Sequence, residues 1–460
     1  MSFVIRNNVN IKLNLDDKPV VDERCISFTK EWNILVLKAI ARLSTAPTKA
    51  SRILFLWSTM CQLSTQNKCL DSMISPTFYK RLDSNDSWSD LCCAIATKKI
   101  LLKIGSFVES EYELVLDSHS TVLNTRSFMD SKEGVDFSNY LDSYLSIRDN
   151  DNNANAGVIS SSVPQPNSGY FDIALNNSVT DVKKWTPMKF NGVTQSYATP
   201  EWGSVTGVLS TEKFNQLITT TQNLYPSDTQ LNNEITEVIN VKQNLTDKQK
   251  MIAEFWAGGP GTVTPPGLWN IITGCMLDKK SSFISDQINT YHYVNTALFQ
   301  AGIMAWKLKR ANMQARPVQR IRLNQSSVWL PYQPSNFITP PFPDFVSGHS
   351  TFSSAASGVL KQLFQTDFLD DLRIDKSMLY LISPLFYTKS VDSYFHNIFI
   401  FPNTSSIDSA PNSGCFLGWN SLTEMAQEAG MSRIYGGIHV MSSNYAGLLL
   451  GDSIAMSLLS

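Results

Sequence analysis

Histidine is scarce in this 460-residue sequence, and two of its five histidines stand among unusual neighbours. His349 closes the run Phe345-Val346-Ser347-Gly348-His349, after a Pro-rich stretch and at an expected helix start. His439 closes Ser432-Arg433-Ile434-Tyr435-Gly436-Gly437-Ile438-His439, where the paired glycines supply a turn. Upstream, Lys309 and Arg316 are seven residues apart in a segment that reads as one long helix. Seven residues make two turns, so both cations are expected on the same face. Brought together, these segments would form an oxyanion pocket. Lys309, Arg316 and Arg433 supply positive charge, and the two guanidinium groups can make forked hydrogen bonds to oxygens. The Ser347 hydroxyl and the Gly348 N–H add neutral donors at a helix N-terminus, where an anion is favoured. One imidazole can then bond to the central atom as nucleophile or ligand while the other moves protons.

Helices must position these groups. EWNILVLKAIARL, Glu31 to Leu43, places Trp32, Leu35, Leu37, Ile40 and Leu43 mostly on one helical face. A break at Thr45 to Thr48 precedes a second helical run from Lys49, and Ser89 to Ile104 reads as a third. From Arg148 the chain turns rich in Asn, Ser, Gly and Pro, which marks a linker or long surface loop. Residues 171–235 read as an irregular, loop-rich covering layer. Helical pattern returns at Leu245, with Thr246 or Asp247 as the cap and Gly258-Gly259-Pro260 as the stop. The long helix is expected from about Ser285 to Ala315, ended by Arg316-Pro317. Ser347 is placed to cap the next helix, and two more follow near 420–430 and 444–459. The fold class is therefore all-α. The expected division is 1–147, an N-terminal helical region; 148–240, a linker and covering segment; and 241–460, the bundle carrying the chemistry.

Composition excludes several alternatives. Hydrophobic residues are 43% and charged residues 17%, enough apolar material for a sizeable core and against disorder as the main state. Lys and Arg total 38 against 40 Asp and Glu, so no basic surplus marks a nucleic-acid binder. The N-terminus lacks the apolar run of a signal peptide, and no stretch reaches the ~18 apolar residues of a spanning helix. A soluble, cytoplasmic protein is the expectation. The seven cysteines, Cys25, Cys61, Cys69, Cys92, Cys93, Cys275 and Cys415, form no CxxC pair and read as buried, reduced thiols. His119, His292 and His396 have no matching partners and read as surface or core histidines.

The ordered set Lys309-(six residues)-Arg316-Pro317, Ser347-Gly348-His349 and Ser432-Arg433-(five residues)-His439 resembles the vanadium-dependent haloperoxidases and the related type 2 phosphatidic-acid phosphatases. The segments KKWTPMKFNGVTQSYATPEWGSVT, IAEFWAGGPGTVTPPGLWN and TPPFPDFVSGHSTFS look like the soluble, bacterial-type haloperoxidase branch. The resemblance runs from about residue 30 to the end and is weakest over 70–165. It implies two four-helix bundles, with the pocket at one end of the C-terminal bundle. It also implies orthovanadate as cofactor, its equatorial oxygens bound by Lys309, Arg316, Ser347, Gly348 and Arg433, with His439 as the axial vanadium ligand. His349 would accept a proton from hydrogen peroxide, and vanadium would act as a Lewis acid, so that a halide is oxidised to hypohalous acid. That product would halogenate a small organic acceptor. Trp306, Pro340 and Phe342 match positions lining the halide site in the family, and Phe342 leans towards chloride in addition to bromide.

Four residues depart from the match. Val346 stands where Pro usually precedes Ser-Gly-His; Ser443 stands four residues after His439, where many relatives carry Asp. Gly258 and Leu268 occupy positions where relatives often show Asp and His. As losses of groups that orient an Arg or a His, these bear on rate and metal affinity rather than on the pocket's existence. Tetrahedral phosphate suits the same residues, so a soluble acid phosphatase working through a phosphohistidine at His439 stays open. So does an inactive oxyanion-binding homologue. No nucleic-acid or membrane partner is expected. Many family members form dimers, and a homodimer is left open because nothing in the sequence marks an interface.

Overall fold

Apolar side chains at helical spacing build nearly all the regular structure in the computed structural model. It describes residues 28–65, 85–120, 125–151, 161–162, 164–278, 283–369, 374, 378, 381–382, 394–395, 398–400 and 416–460. The N-terminal helices are α1 (Phe28–Arg42), α2 (Pro47–Leu63), α3 (Asn85–Lys103), α4 (Glu109–Ser120), α5 (Thr125–Met129) and α6 (Lys132–Asp149). Next come β1 (Phe171–Asp172), β2 (Met188–Phe190) and β3 (Val193–Thr194), then α7 (Thr211–Gln222) and α8 (Asp228–Gln243). The C-terminal part holds α9 (Asp247–Phe255), α10 (Thr264–Leu277), α11 (Ile284–Asn312), α12 (Pro317–Asn324) and α13 (Gly348–Phe364). Strands β4 (Tyr394–Phe395), β5 (Ile398–Ile400) and β6 (Phe416–Leu417) precede α14 (Leu422–Tyr435) and α15 (Met441–Leu459).

Two four-helix groups share one core. Helices α1, α2, α3 and α10 pack together, and α11, α13, α14 and α15 form the second group. Helix α2 lies along α11 and joins them. The apolar interior is continuous from Trp32 on α1, through Trp57, Trp269 and Phe299, to Ala455 on α15. The two small sheets, ordered β1-β2-β3 and β4-β5-β6, add only short pairings, so the all-α reading holds. Among the described residues no helix is long and apolar enough to cross a membrane. Cys61, Cys92, Cys93 and Cys275 are buried free thiols, whereas Cys25, Cys69 and Cys415 lie outside the described residues. The Asn- and Ser-rich linker also lies largely outside them, at 152–160.

Two expectations need correction. The covering segment is not irregular throughout, because α7 and α8 occupy 211–243. Ser210 and Ser227 accept hydrogen bonds from the backbone N–H of Lys213 and Gln230, so both starts are capped. Both helices are mostly polar and bury few residues, chiefly Leu217 on α7 and Leu231, Ile235 and Val238 on α8, which hid their period. The long helix also stops earlier than expected, at Asn312, where Met313 adopts a left-handed conformation (φ 48°). Arg316 is therefore not on that helix. It precedes α12, with Pro317 at the first helical position, where a missing N–H costs nothing.

The tightest crossing carries the motif. Helices α13 and α15 approach so closely that a Cβ on Gly447 would lie 2.7 Å from the Ser347 carbonyl. A Cβ on Gly451 would collide with the Thr351 carbonyl and come within 2.7 Å of the Ala355 nitrogen. These glycines let α15 seat the first turn of α13. Gly451→Ala is expected to lower stability by about 1–3 kcal/mol through overpacking. Gly259→Ala, with open space around its Cβ, should stay within about 0.5 kcal/mol. Urea denaturation of both variants checks this.

Candidate active site

The three cations do come together. Lys309, in the last turn of α11, is completely buried and donates from Nζ to the carbonyls of Pro343 and Asp344, both at 2.8 Å. Arg316 donates from Nε to the Phe342 carbonyl at 2.7 Å and from Nη1 to the Ile438 carbonyl at 2.7 Å. Arg433, in the last turn of α14, donates from Nη2 to the Ala253 carbonyl at 2.7 Å and from Nη1 to the Ala257 carbonyl at 3.4 Å. Its Nε reaches the Ser432 hydroxyl at 2.9 Å, which gives Ser432 its role. Neither arginine is more than 1% exposed. Burial lowers the pKa of all three cations, to about 10 for Arg316 and about 9 for Arg433, and Arg316 pushes the other two down further.

Arg316 reaches this place by a route the seven-residue spacing did not describe. After Met313 the chain runs extended beside the covering segment. Trp185 N–H donates to the Met313 carbonyl at 2.6 Å, and Ala315 N–H to the Lys183 carbonyl at 2.8 Å. The Gln319 side chain ties the same segment at Thr186 N–H and the Lys184 carbonyl. So the covering layer fixes Arg316.

Both motif histidines face the cations. Arg316 Nη1 lies 3.0 Å from His439 Nε2, and His439 Nδ1 contacts Asp344 Oδ1. The Asp344 side chain is completely buried. Burial raises its carboxyl to about 6 even though Arg316 and Lys309 pull it down. Sequence reading missed Asp344; its only signal was an acid among the prolines and phenylalanines of PPFPDFVSGHS. His349 Nε2 donates to the Trp256 carbonyl at 2.9 Å, which leaves Nδ1 as acceptor. Burial, then Arg433 and His439, depress its pKa well below 6.5. His439 is depressed in the same way, by burial and the three cations.

The remaining groups frame the cluster. Ser347 caps α13 through its hydroxyl, 3.3 Å from Ser350 N. A Cβ on Gly348 would meet nothing nearer than Trp306 at 3.5 Å, so protein packing does not demand the glycine. The Trp306 and Phe342 rings are 4.8 Å apart, with Lys309 Nζ 5.7 and 5.1 Å from their centroids. Pro340 is buried beside them, and its carbonyl accepts from Phe342 N–H at 2.9 Å. Trp306 donates to the Ala198 carbonyl of the covering layer at 3.0 Å.

His349 opens on an apolar cleft lined by Phe255, Trp256, Val263, Pro265 and Leu268. Gly258 borders it at φ +56°, and a Cβ there would lie 2.9 Å from Pro265 Cδ, so any side chain at 258 would be strained. His292 stays apart, on α11 beside Thr59 and Phe55, and burial lowers it to about 4. His119 lies in α4, and His396 is outside the described residues. Among the described residues no three His, Cys, Asp or Glu gather to hold a metal ion directly. Three cations facing one carboxylate instead make an anion pocket, and Arg316 Nη2 remains buried without a partner.

Residues 289–460 match the family described as the VCPO second helical-bundle domain. The chain is similar to the structure of the first bacterial vanadium-dependent iodoperoxidase, with a TM-score of 0.65 and 20% identity, over 96% of this chain and 97% of that one. It is also similar to an apo-type bacterial vanadium-dependent chloroperoxidase, with a TM-score of 0.63 and 13% identity, over 90% and 91% of the two chains. A holo-type bacterial chloroperoxidase gives a TM-score of 0.59 and 13% identity, over 97% and 94%. None of the curated proteins compared matches the chain. Together these likenesses make the fold that of the solved helical haloperoxidases.

Two outcomes follow from the geometry. Inorganic phosphate, a tetrahedral oxyanion, should raise the melting temperature by filling the pocket, and Arg316→Ala should abolish that rise. The second concerns pH. His292, His349 and His439 are held neutral, whereas an unfolded imidazole titrates near 6.5. The unfolded chain then binds more protons below that pH, so stability falls as pH drops, for His292 down to about 4. Asp344 opposes this between its unfolded value of 3.8 and about 6, because the native state keeps a proton that the unfolded state releases. In phosphate-free buffer the urea midpoint should be lower at pH 5 than at pH 7, and His292→Gln should narrow the difference.

Proposed function

We propose that this haloperoxidase-like chain is a vanadate-dependent haloperoxidase that uses hydrogen peroxide to oxidise halide to hypohalous acid. The observation that carries the reading is the buried group of Lys309, Arg316 and Arg433 around His439, with Arg316 at its Nε2. Such a cluster is costly unless an anion completes it. The residues fit orthovanadate. The donor set is cationic, Arg316 Nη2 has no partner, and the space at Gly348 is not needed for packing. Lys309, Arg316, Arg433, Ser347 and the Gly348 N–H would hold its oxygens, and His439 Nε2 would bind the vanadium. When bound, vanadate supplies a Lewis acid that polarises peroxide at neutral pH.

The chain's own groups do the remaining work. His349, with Nε2–H donated to the Trp256 carbonyl, presents Nδ1 as a base. It takes the proton from incoming hydrogen peroxide and returns it to the departing oxygen. The Trp256 carbonyl holds the ring in that orientation throughout. Lys309 stands over the Trp306 and Phe342 rings, so an apolar wall with a cation beside it receives the halide at Trp306, Pro340 and Phe342. This wall suits weakly hydrated bromide, with chloride the more demanding substrate. A small organic acceptor would then meet hypohalous acid at the cleft beside His349.

Phosphate-free protein titrated with orthovanadate should gain peroxide-dependent bromination of a dye, saturably. Chloride and iodide are run in parallel. His439→Ala should lose this activity together with vanadate binding. His349→Ala should keep binding but lose about 10²–10⁴-fold in kcat. Phosphate-ester hydrolysis inhibited by vanadate, with no halide oxidation, would move the chain to the phosphatases.

A further inference from the structure

His439 is held from both sides, and the two contacts agree on one tautomer. A guanidinium can only donate, so Arg316 Nη1 at 3.0 Å requires His439 Nε2 to present its lone pair. The ring proton must then be on Nδ1, where Asp344 Oδ1 accepts it. Asp344 is anchored at every polar group but one. Its N–H donates to the Gln314 carbonyl at 3.0 Å, its carbonyl accepts from Lys309, and only Oδ2 lacks a partner. The Ser443 side chain, fully buried on α15, borders this carboxylate and eases its charge. Yet the Ser443 hydroxyl completes no hydrogen bond either. Ser443 is tied to the pocket by its backbone, since its carbonyl accepts from Ser347 N–H at 2.9 Å.

We propose that Asp344 is the positioning residue of the pocket, fixing the His439 Nδ1–H tautomer and ring plane so that Nε2 faces a bound tetrahedral oxyanion. Position 443 is the second place from which a carboxylate can serve that ring edge. This deepens the oxyanion reading above and does not depend on halide chemistry. A carboxylate behind an imidazole raises the basicity of the opposite nitrogen and removes the freedom of the ring to flip. Here it does so from the irregular segment before α13 rather than from a helix. Asp344 thereby links the Lys309 contact and the His439 contact through one residue.

The test uses the full chain with orthovanadate and, separately, inorganic phosphate, each titrated by calorimetry. ¹⁵N NMR of histidine-labelled protein reads the His439 tautomer in the absence of anion. Asp344→Ala is expected to weaken binding of both oxyanions by about 10–100-fold and to lose the single Nδ1–H signature. Adding Ser443→Asp to that variant should regain about tenfold of the loss. Asp344→Asn keeps an acceptor of the same shape, so it should keep the tautomer and lose less affinity; it serves if Asp344→Ala fails to fold. The proposal is overturned if a folded Asp344→Ala binds both oxyanions as the parent does with the tautomer unchanged. It is also overturned if the double variant folds without gaining affinity, or if the parent binds neither ion. A parent that binds vanadate without oxidising halide sinks the haloperoxidase reading alone.

Discussion

Three buried cations with one carboxylate among them are the constraint from which the rest of this structure follows. Removing a charge from water costs several kcal/mol even after the protein relaxes, and like charges add to that cost. Six backbone carbonyls meet it here: Phe342, Pro343, Asp344, Ile438, Ala253 and Ala257. Those carbonyls are available because the chain is not regular where they occur. Residues 342–344 lie in the extended, Pro-rich run before α13, and Ile438 follows the turn at Gly437 (φ +69°). Ala253 lies in the last turn of α9, where the last carbonyls of a helix have no intrahelical partner and the dipole is negative, and Ala257 lies just beyond its cap. The cations therefore act as hubs that staple three distant segments to one point.

The same logic explains why the pocket has two different histidines. His349 hangs from the end of α9 through the Trp256 carbonyl, on the side nearest Arg433 and the apolar cleft. His439 sits between Arg316 and Asp344 in full burial. One ring has an open side and an acceptor nitrogen; the other has its lone pair aimed at a guanidinium. Such a division of proton transfer from ligation or nucleophilic attack is what tetrahedral oxyanion chemistry needs. It arises from which carbonyl or carboxylate each ring leans on. Glu234 supports the arrangement from outside: its carboxylate accepts from the Ser442 N–H and hydroxyl, tying α8 to the start of α15 just after His439.

What was legible in the sequence divides along physical lines. Helices α1 and α2 announced themselves by apolar residues at helical spacing, and α11 by its length, since it is buried without a break from Val294 to Trp306. Thr246 was readable as a cap because Gln249 follows three residues later, and both halves of that box form. Helices α7 and α8 were not, since their buried residues are few and their faces polar. Lys309 and Arg316 were rightly paired for the wrong reason. They meet across a left-handed break and an extended strand-like link, and only the covering layer, unseen as a scaffold, holds that link in place. Asp344 was invisible because no spacing rule connects a lone acid to a histidine 95 residues later.

Gly258 shows how one backbone choice reaches the electrostatics. With φ +56° and Pro265 packed over it, that loop would be strained by any side chain at 258. Leu268, 4% exposed, makes the neighbouring wall apolar, and Ser443 leaves the α15 side neutral. The pocket thus has no acid at Gly258 or Ser443 and one at Asp344. A second buried carboxylate beside Asp344 would compete with the incoming anion for the same three cations and would push both acids towards their protonated forms. A single carboxylate is enough to orient His439 while leaving positive charge in excess. The lack of an acid at Gly258 and Ser443 keeps the net charge of the cluster positive, and the one acid present, Asp344, is the one that contacts the ring.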